Sequence, residues 1–196
     1  MSGAFSSGVS HKSFGAEVDA SELSGYYDID QATVGIVVPT GNAWVASNLA
    51  LTANRAHYCR FVPAEDMIAT SIGFAVTVAA ASDDNIDVAI YNSSKARLNS
   101  SGATGGKLNS TGVKSVAITA TSLTAGSVYW AGISPGTFGG SAASCWGANI
   151  GNSLGHDILG ADTSPVEYEN AAHVLPATAT FAGAVTTGLA LAVLTG

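Results

Sequence analysis

From Ile68 to Val78 the even positions (Ile68, Thr70, Ile72, Phe74, Val76, Val78) are β-branched or aromatic, and the odd positions between them are small. A period of two puts the bulky set on one face of a strand and the lean set on the other. The alternation recurs at Ile86, Val88 and Ile90, at Val116 and Ile118, at Val128 and Trp130, and at Leu189, Leu191 and Val193. Strands are expected over 55–62, 68–78, 86–91, 113–119, 128–133, 143–149, 177–181 and 188–194. Turn signals separate them at Ser82 to Asn85, Gly102 to Asn109, Ala125-Gly126 and Ser134-Pro135-Gly136. Short strands at these intervals, with no amphipathic helix of convincing length, predict an all-β protein: an antiparallel, jelly-roll-like β-sandwich.

The chain is not uniform. Residues 1–52 are dominated by Gly, Ser and acidic side chains, with apolar residues only in short runs such as Val34 to Val38. They read as an extended N-terminal arm that docks on a partner, with the sandwich occupying 53–196. Pro63 ends a strand because it has no N–H to donate. Asp87 and Tyr91 fall opposite Ile86, Val88 and Ile90, which predicts a strand with one wet side. Trp130 shares parity with Val128 and is expected to point inward. Residues 151–172, polar and irregular, read as a long loop, the kind of segment that often carries recognition.

Composition narrows the function classes. Only 11% of the 196 residues are charged, against 47% hydrophobic, and 23 are glycine, which suits close sheet packing and a surface lying against other protein. The net charge is −7, and no Lys or Arg occurs from Ser115 to Gly196. Phosphate backbones and anionic lipids demand clustered cations, so neither nucleic acid nor an anionic membrane is an expected partner. The uncharged stretch from Ala171 to Gly196 is long enough to raise a membrane helix, but Pro176, Gly183, Gly188 and several threonines argue against insertion. The first residues lack a basic start and a continuous apolar run, so synthesis in the cytoplasm without a secretory leader is expected. In that setting Cys59 and Cys145 read as two small buried thiols rather than a bridge.

Several of these residues also carry a resemblance. Tyr58-Cys59-Arg60-Phe61-Val62-Pro63, Ile68 to Val78, Asp87-Val88-Ala89-Ile90-Tyr91, Thr111-Gly112-Val113-Lys114, Leu123-Thr124-Ala125-Gly126 and Tyr129-Trp130-Ala131-Gly132 resemble the β-sandwich module of bacteriophage virion proteins. That module occurs in minor tail proteins and fibres. The likeness spans about Arg55 to Ser134 and has no catalytic signature. It implies a structural protein of the virion, made in the host cytoplasm, in which a homo-oligomer, commonly a trimer, joins other virion proteins.

Sequence motifs for chemistry are few. Gly151-Asn152-Ser153-Leu154-Gly155 matches the nucleophile elbow of serine hydrolases, followed by Asp157, Asp162 and His173 in the usual order. The elbow needs a helix after the serine, and Gly160 and Pro165 interrupt the one available stretch. Asp83, Asn85 and Asp87 have the spacing of an EF-hand start, but Val88 stands where that loop requires Gly and Ser94 where it requires Glu. An Asx-type turn is the simpler reading, and a weak oxygen-ligand calcium site the alternative. His11, His57, His156 and His173 show no metal-ligand spacing. Asn92-Ser93-Ser94, Asn99-Ser100-Ser101 and Asn109-Ser110-Thr111 match the glycosylation acceptor but read as polar turns. Trp44, Trp146, His156 and Asp157 are the candidate ligand or interface contacts, the tryptophans because an indole can anchor an interface or stack on a sugar.

The expected function is therefore non-enzymatic, with neither cofactor nor metal: a virion structural protein of tail-fibre or tail-tip kind, binding host, in one reading a surface glycan, or serving assembly. A capsid decoration protein and a free carbohydrate-binding module are the alternatives.

Overall fold

The computed structural model describes residues 12–13, 16–17, 45–82, 85–149, 166–170, 173–181, 183–184, 187–189 and 191–195. The described strands are β1 (Lys12–Ser13), β2 (Ala16–Glu17), β3 (Val45–Ala50), β4 (Arg55–Phe61), β5 (Met67–Val78), β6 (Ile86–Asn92), β7 (Arg97–Ser100) and β8 (Gly112–Leu123). β9 (Tyr129–Pro135), β10 (Ser144–Asn149), β11 (Val166–Asn170), β12 (Gly183–Ala184), β13 (Thr187–Leu189) and β14 (Ala192–Thr195) follow. β1 and β2 pair only with each other, and the others form two six-stranded antiparallel sheets packed as a sandwich.

Sheet 1 is built on β5, which pairs with β8 along one side and with β14 and β10 along the other. β10 in turn pairs with β3 and β13. Because β13 opposes β10, β14 opposes β5, and β5 opposes β10, β13 and β14 run in opposite directions. The stretch expected as one strand over 188–194 is thus two strands, set into the fork where β5 and β10 part beyond the pair Val76–Cys145. Sheet 2 has the order β12-β11-β4-β9-β6-β7.

The alternation in β5 holds where the sequence is most regular. Ile72, Phe74 and Val76 are buried between the sheets with Phe61, Val88 and Ile133. It fails at Ile68, which is 55% exposed while Ala69 is buried. A bulge between Ala69 and Ser71, opposite β8, turns the strand by one position. The lean face of β5 looks out of the sandwich. Turn chemistry behaves as expected at Ala125-Gly126, where Gly126 adopts φ 73° and its N–H donates to the Pro63 carbonyl at 2.9 Å.

Sheet 2 departs most from expectation. Strands β6 and β9 are buried almost throughout, because residues 173–181 lie across the outer face as a strap. Under it Tyr58, Tyr91 and Trp130 form a second core with Leu175 and Ala179, and Phe181 packs against them. The Trp130 and Phe181 rings are 4.5 Å apart, and Tyr58 meets Tyr91 edge-on at 5.4 Å. Asp87 and Tyr91, expected on a wet side, are both fully buried. Trp130 does point into a core, but into this second one. The strap replaces the strand expected over 177–181; its one β contact is the bridge Ala96–Thr178.

Polar groups of sheet 2 hold the strap's backbone. The Asp87 carboxylate accepts the Leu175 N–H at 2.9 Å and the Ser101 hydroxyl at 3.1 Å. Arg97 donates from its side chain to the Leu175 carbonyl and from its N–H to Ala177. Tyr91 donates its hydroxyl to the Pro176 carbonyl at 2.8 Å. Glu169, only 4% exposed, accepts Thr180 N–H and hydroxyl through one oxygen and the Tyr58 hydroxyl through the other. Gly132 makes room beneath: a β-carbon there would lie 2.9 Å from the Tyr58 ring.

Two boundaries also move. β3 belongs to sheet 1 and Leu51 is 2% exposed in the main core, so Val45 to Leu51, the end of the segment expected as an arm, are part of the sandwich. β11 lies within residues 151–172, expected to be loop throughout, and pairs with β4 from Val166 to Asn170. β7, absent from the sequence reading, edges sheet 2, and β8 runs to Leu123.

Deleting residues 1–43 is expected to leave the denaturant melt unchanged, whereas deleting 1–52 removes β3 and the buried Leu51 side chain. The longer deletion should cost at least the about 2–5 kcal/mol of a buried leucine; equal melts would mean that β3 adds nothing. Asp87→Ala strands the Leu175 N–H and should cost about 1–3 kcal/mol. Hydrogen exchange at Leu175 and Ala179 should rise well before that of β5; protection equal to wild type would show that Asp87 does not hold the strap.

Candidate functional site

Of the four candidate contacts, Trp44, His156 and Asp157 lie outside the described residues, as does Ser153 of the hydrolase-like motif. Trp146 is placed. It follows the fully buried Cys145 on β10, so by strand parity it stands on the outer face of sheet 1, half-buried and laterally paired with Asn48 of β3.

Around it that face is flat and uncharged. β5 contributes Ser71, Gly73 and Ala75, β8 contributes Val113, Ser115 and Ala117, and β14 contributes Ala192 and Leu194, in registers that place them side by side. A β-carbon on Gly73 would meet Leu194 Cδ1 at 3.4 Å, so the leucine side chain lies across that glycine. Val113 is 74% exposed. None of these described positions carries a charge. Lys114, the one charged side chain described on β8, is opposite Phe74 and so has the other parity; its Nζ donates to Ser110 Oγ and the Thr111 carbonyl at the strand's end.

The other described charged residues lie elsewhere, on sheet 2, on the β1–β2 pair and in loops. Asp87 is raised above the usual carboxylate range by burial, with the Leu175 and Ser101 hydrogen bonds and Arg97 acting against that shift. Burial and the Glu169 contact push the Tyr58 hydroxyl well above its ordinary range, and burial raises Tyr91. Lys95 sits over the Phe181 ring, 4.6 Å from its centroid, capping the second core. These groups hold the strap down, and none points to a reacting centre.

Arg55, His57 and Tyr168 form a second polar group on the sandwich side of β4 and β11, where His57 pairs with Tyr168 and the guanidinium lies 4.1 Å from the Tyr168 ring centroid. Both His57 ring nitrogens and Arg55 Nε are buried without hydrogen-bond partners. Burial first, and the Arg55 charge second, lower the His57 pKa to about 4, so the imidazole is neutral at ordinary pH. The sequence placed His57 on a sheet face; its orphaned burial had no sequence signal.

The thiols are free, as the reading of two unbridged cysteines expected. Cys145 is buried, Cys59 donates to the Leu189 carbonyl, and burial pushes both thiols up to about 12, which suppresses thiolate chemistry. Among the described residues no three His, Cys, Asp or Glu side chains gather as metal ligands. The turn reading of Asn92 is met directly: its Oδ1 accepts from Ser94 N–H, Ser94 Oγ and Ala96 N–H. Asp83 lies outside the described residues, and Asp87 serves the strap. A shallow groove of about 320 Å³, lined by Asp66, Met67, Ile68, Ser122, Leu123 and Thr124, opens where the β5 bulge turns Ile68 outward. Its one ionisable side chain, Asp66, accepts the Ala125 N–H at 2.8 Å. Among the described residues no helix is long and apolar enough to cross a membrane.

Among the described residues the outer face of sheet 1 is the candidate functional surface. No protein-family model matches the chain, and no curated protein does either.

His57 gives the fold a pH signature. Its pKa falls from 6.5 in the unfolded chain to about 4 in the folded one, so between those values the unfolded chain binds more protons. Stability from this group is complete above pH 6.5 and is lost as pH falls toward 4, by up to about 3 kcal/mol. Asp87, raised on folding, acts in the opposite sense, so the comparison must isolate the imidazole. His57→Leu removes unpaired polar atoms and should flatten the stability profile across this window, as read by urea melts. A wild-type slope retained in His57→Leu would show that another group titrates.

Proposed function

We propose that this chain is a non-enzymatic structural subunit on the exterior of a bacteriophage particle, of the tail-fibre or tail-tip kind. The observation that carries the reading is the flat, uncharged outer face of sheet 1, a surface made for lying against protein. The resemblance of Arg55 to Ser134 to virion β-sandwich modules supports it, and those residues supply the whole of β4 to β8 and all of β9 but Pro135. A sandwich with two cores, whose second face is strapped shut, suits a rigid load-bearing element.

In this reading the residues before Val45 dock onto other virion proteins. Trp146 is the described candidate for an interface or a host-glycan contact. Head decoration uses the same kind of surface and differs in copy number: hundreds of copies per particle mark decoration, and a handful mark the tail.

Mass spectrometry of purified particles measures that number, and deletion of residues 1–43 is expected to abolish incorporation while the sandwich stays folded. Normal incorporation of the truncated chain would overturn the docking role. Ser153→Ala should leave incorporation and stability unchanged. Labelling of Ser153 by a fluorophosphonate probe would instead establish a hydrolase.

A further inference from the structure

We propose that the sandwich side of β4 binds a chloride ion between the Arg55 side chain and the His57 imidazole. The site lies in the interior, and it stands whether or not the chain is a virion subunit.

Buried nitrogens point to it. His57 Nδ1, His57 Nε2 and Arg55 Nε are all covered and have no hydrogen-bond partner, and His57 is only 4% exposed. Buried polar groups in folded proteins are bonded in the large majority of cases, so orphans clustered two residues apart on one strand mark a ligand position. Arg55 Nε and one imidazole nitrogen carry hydrogen, and the other imidazole nitrogen gains one when the ring is protonated. What they need is an acceptor.

Geometry brings the donors together. Arg55 and His57 share a face of β4, with Cα atoms about 6.6 Å apart, twice the rise of a strand residue. Two hydrogen bonds of about 3 Å meeting on one atom span that distance. Tyr168 is the lateral partner of His57, and its ring holds the guanidinium 4.1 Å from the centroid, which draws Arg55 into the His57 row. Arg55 is half-buried and His57 buried, so the guanidinium lies at the solvent end of the site and the imidazole at the closed end.

Charge selects an anion. Among the described residues no carboxylate pairs with Arg55. The titratable groups facing His57 are Arg55 and Cys59 on β4 and Tyr168 on β11. β9 brings Ile133 beside it, and β13, Thr187–Leu189, contains no titratable residue. Glu169 of β11 is turned to the strap, and the Cys59 thiol donates to the Leu189 carbonyl. Arg55 repels a metal cation, and no three metal ligands gather among the described residues. Water would bond the nitrogens but leave the half-buried guanidinium without a counter-charge. A monovalent anion supplies both, and the enclosure of His57 keeps it small.

Anion and proton are then coupled. Burial first, and the Arg55 charge second, hold His57 at about 4. An anion beside both side chains acts against the second cause and favours the protonated ring. Chloride that binds the protonated form about tenfold more tightly raises the pKa by about one. The stability lost as pH falls from 6.5 toward 4 should therefore be smaller in chloride.

The test uses the full-length chain in sodium chloride and in sodium isethionate, a bulky anion, at equal ionic strength, so that screening is the same in both. The His57 imidazole, identified by NMR as the signal lost in His57→Leu, should titrate about one pH unit higher in chloride. Arg55→Met should abolish the difference between the salts. Arg60→Met, on the strap face of the same strand, should keep it. The chloride quadrupolar line width gives a second readout on the wild type alone: the protein should broaden the line, more so as pH falls toward 4, and bromide should reverse the broadening. A His57 titration that is the same in both salts overturns the proposal, and so does a chloride effect that Arg55→Met leaves intact. The wild-type titration decides the matter where a variant fails to fold.

Discussion

The fold turns on the attachment of residues 173–181 to sheet 2 through Asp87, Arg97 and Glu169. A buried carboxylate is costly, and the raised pKa of Asp87 records that cost. The cost is offset because its oxygens receive the Leu175 N–H and the Ser101 hydroxyl. The strap has almost no ladder of its own, so its peptide groups depend on side chains and turns of sheet 2. Tyr91, Lys95 and Arg97 supply three further contacts along it. With the strap in place the sandwich has cores on both sides of sheet 2, and the aromatic side chains Tyr58, Tyr91 and Trp130 become interior.

This explains why the two sheets differ chemically. Sheet 2 needs ionised or strongly polar side chains to anchor the strap, and many of the described charges are spent there. Among the described residues no strap covers sheet 1; its outer side chains need only fit beside their neighbours, and Gly73 lying under Leu194 shows how small they must be. Serine, alanine and glycine meet that need. The neutral surface of one sheet and the buried charges of the other are thus two results of covering only one face.

The sequence disclosed the period and the class more readily than the layers. Phe74, Val76 and Val116 were legible because each lies in a strand whose other face is small and polar, so period two coincides with burial. β6 was misread because Asp87 sits on a core face, and one acidic residue among apolar neighbours looks the same whether it faces water or a backbone N–H. β3, with Val45-Ala46-Ser47-Asn48-Leu49-Ala50, has too little contrast to stand out from the polar segment before it. Ile68 was misplaced because a bulge shifts parity without changing the sequence pattern. Among the candidate contacts, Trp146 was recognisable as a large aromatic side chain. The neutral face around it was not, since it is assembled from β5, β8, β10 and β14, strands far apart in the chain.

Orphaned polar atoms complete the contrast between the two sides of β4. On the strap side, the Tyr58 hydroxyl finds Glu169, and its ring lies over Gly132. On the sandwich side, two residues of the same strand, Arg55 and His57, bury nitrogens that find no partner. Unpaired buried donors cost about 1–3 kcal/mol each, so this part of the interior is held against its own preference by the packing around it. The side chains answering for that packing are apolar: His57 pairs laterally with Ile133, and Cys59 lies one step further along toward Phe61. A sheet that satisfies its polar groups on the outside and leaves them unpaired inside has its specificity in the strap and its tolerance in the main core.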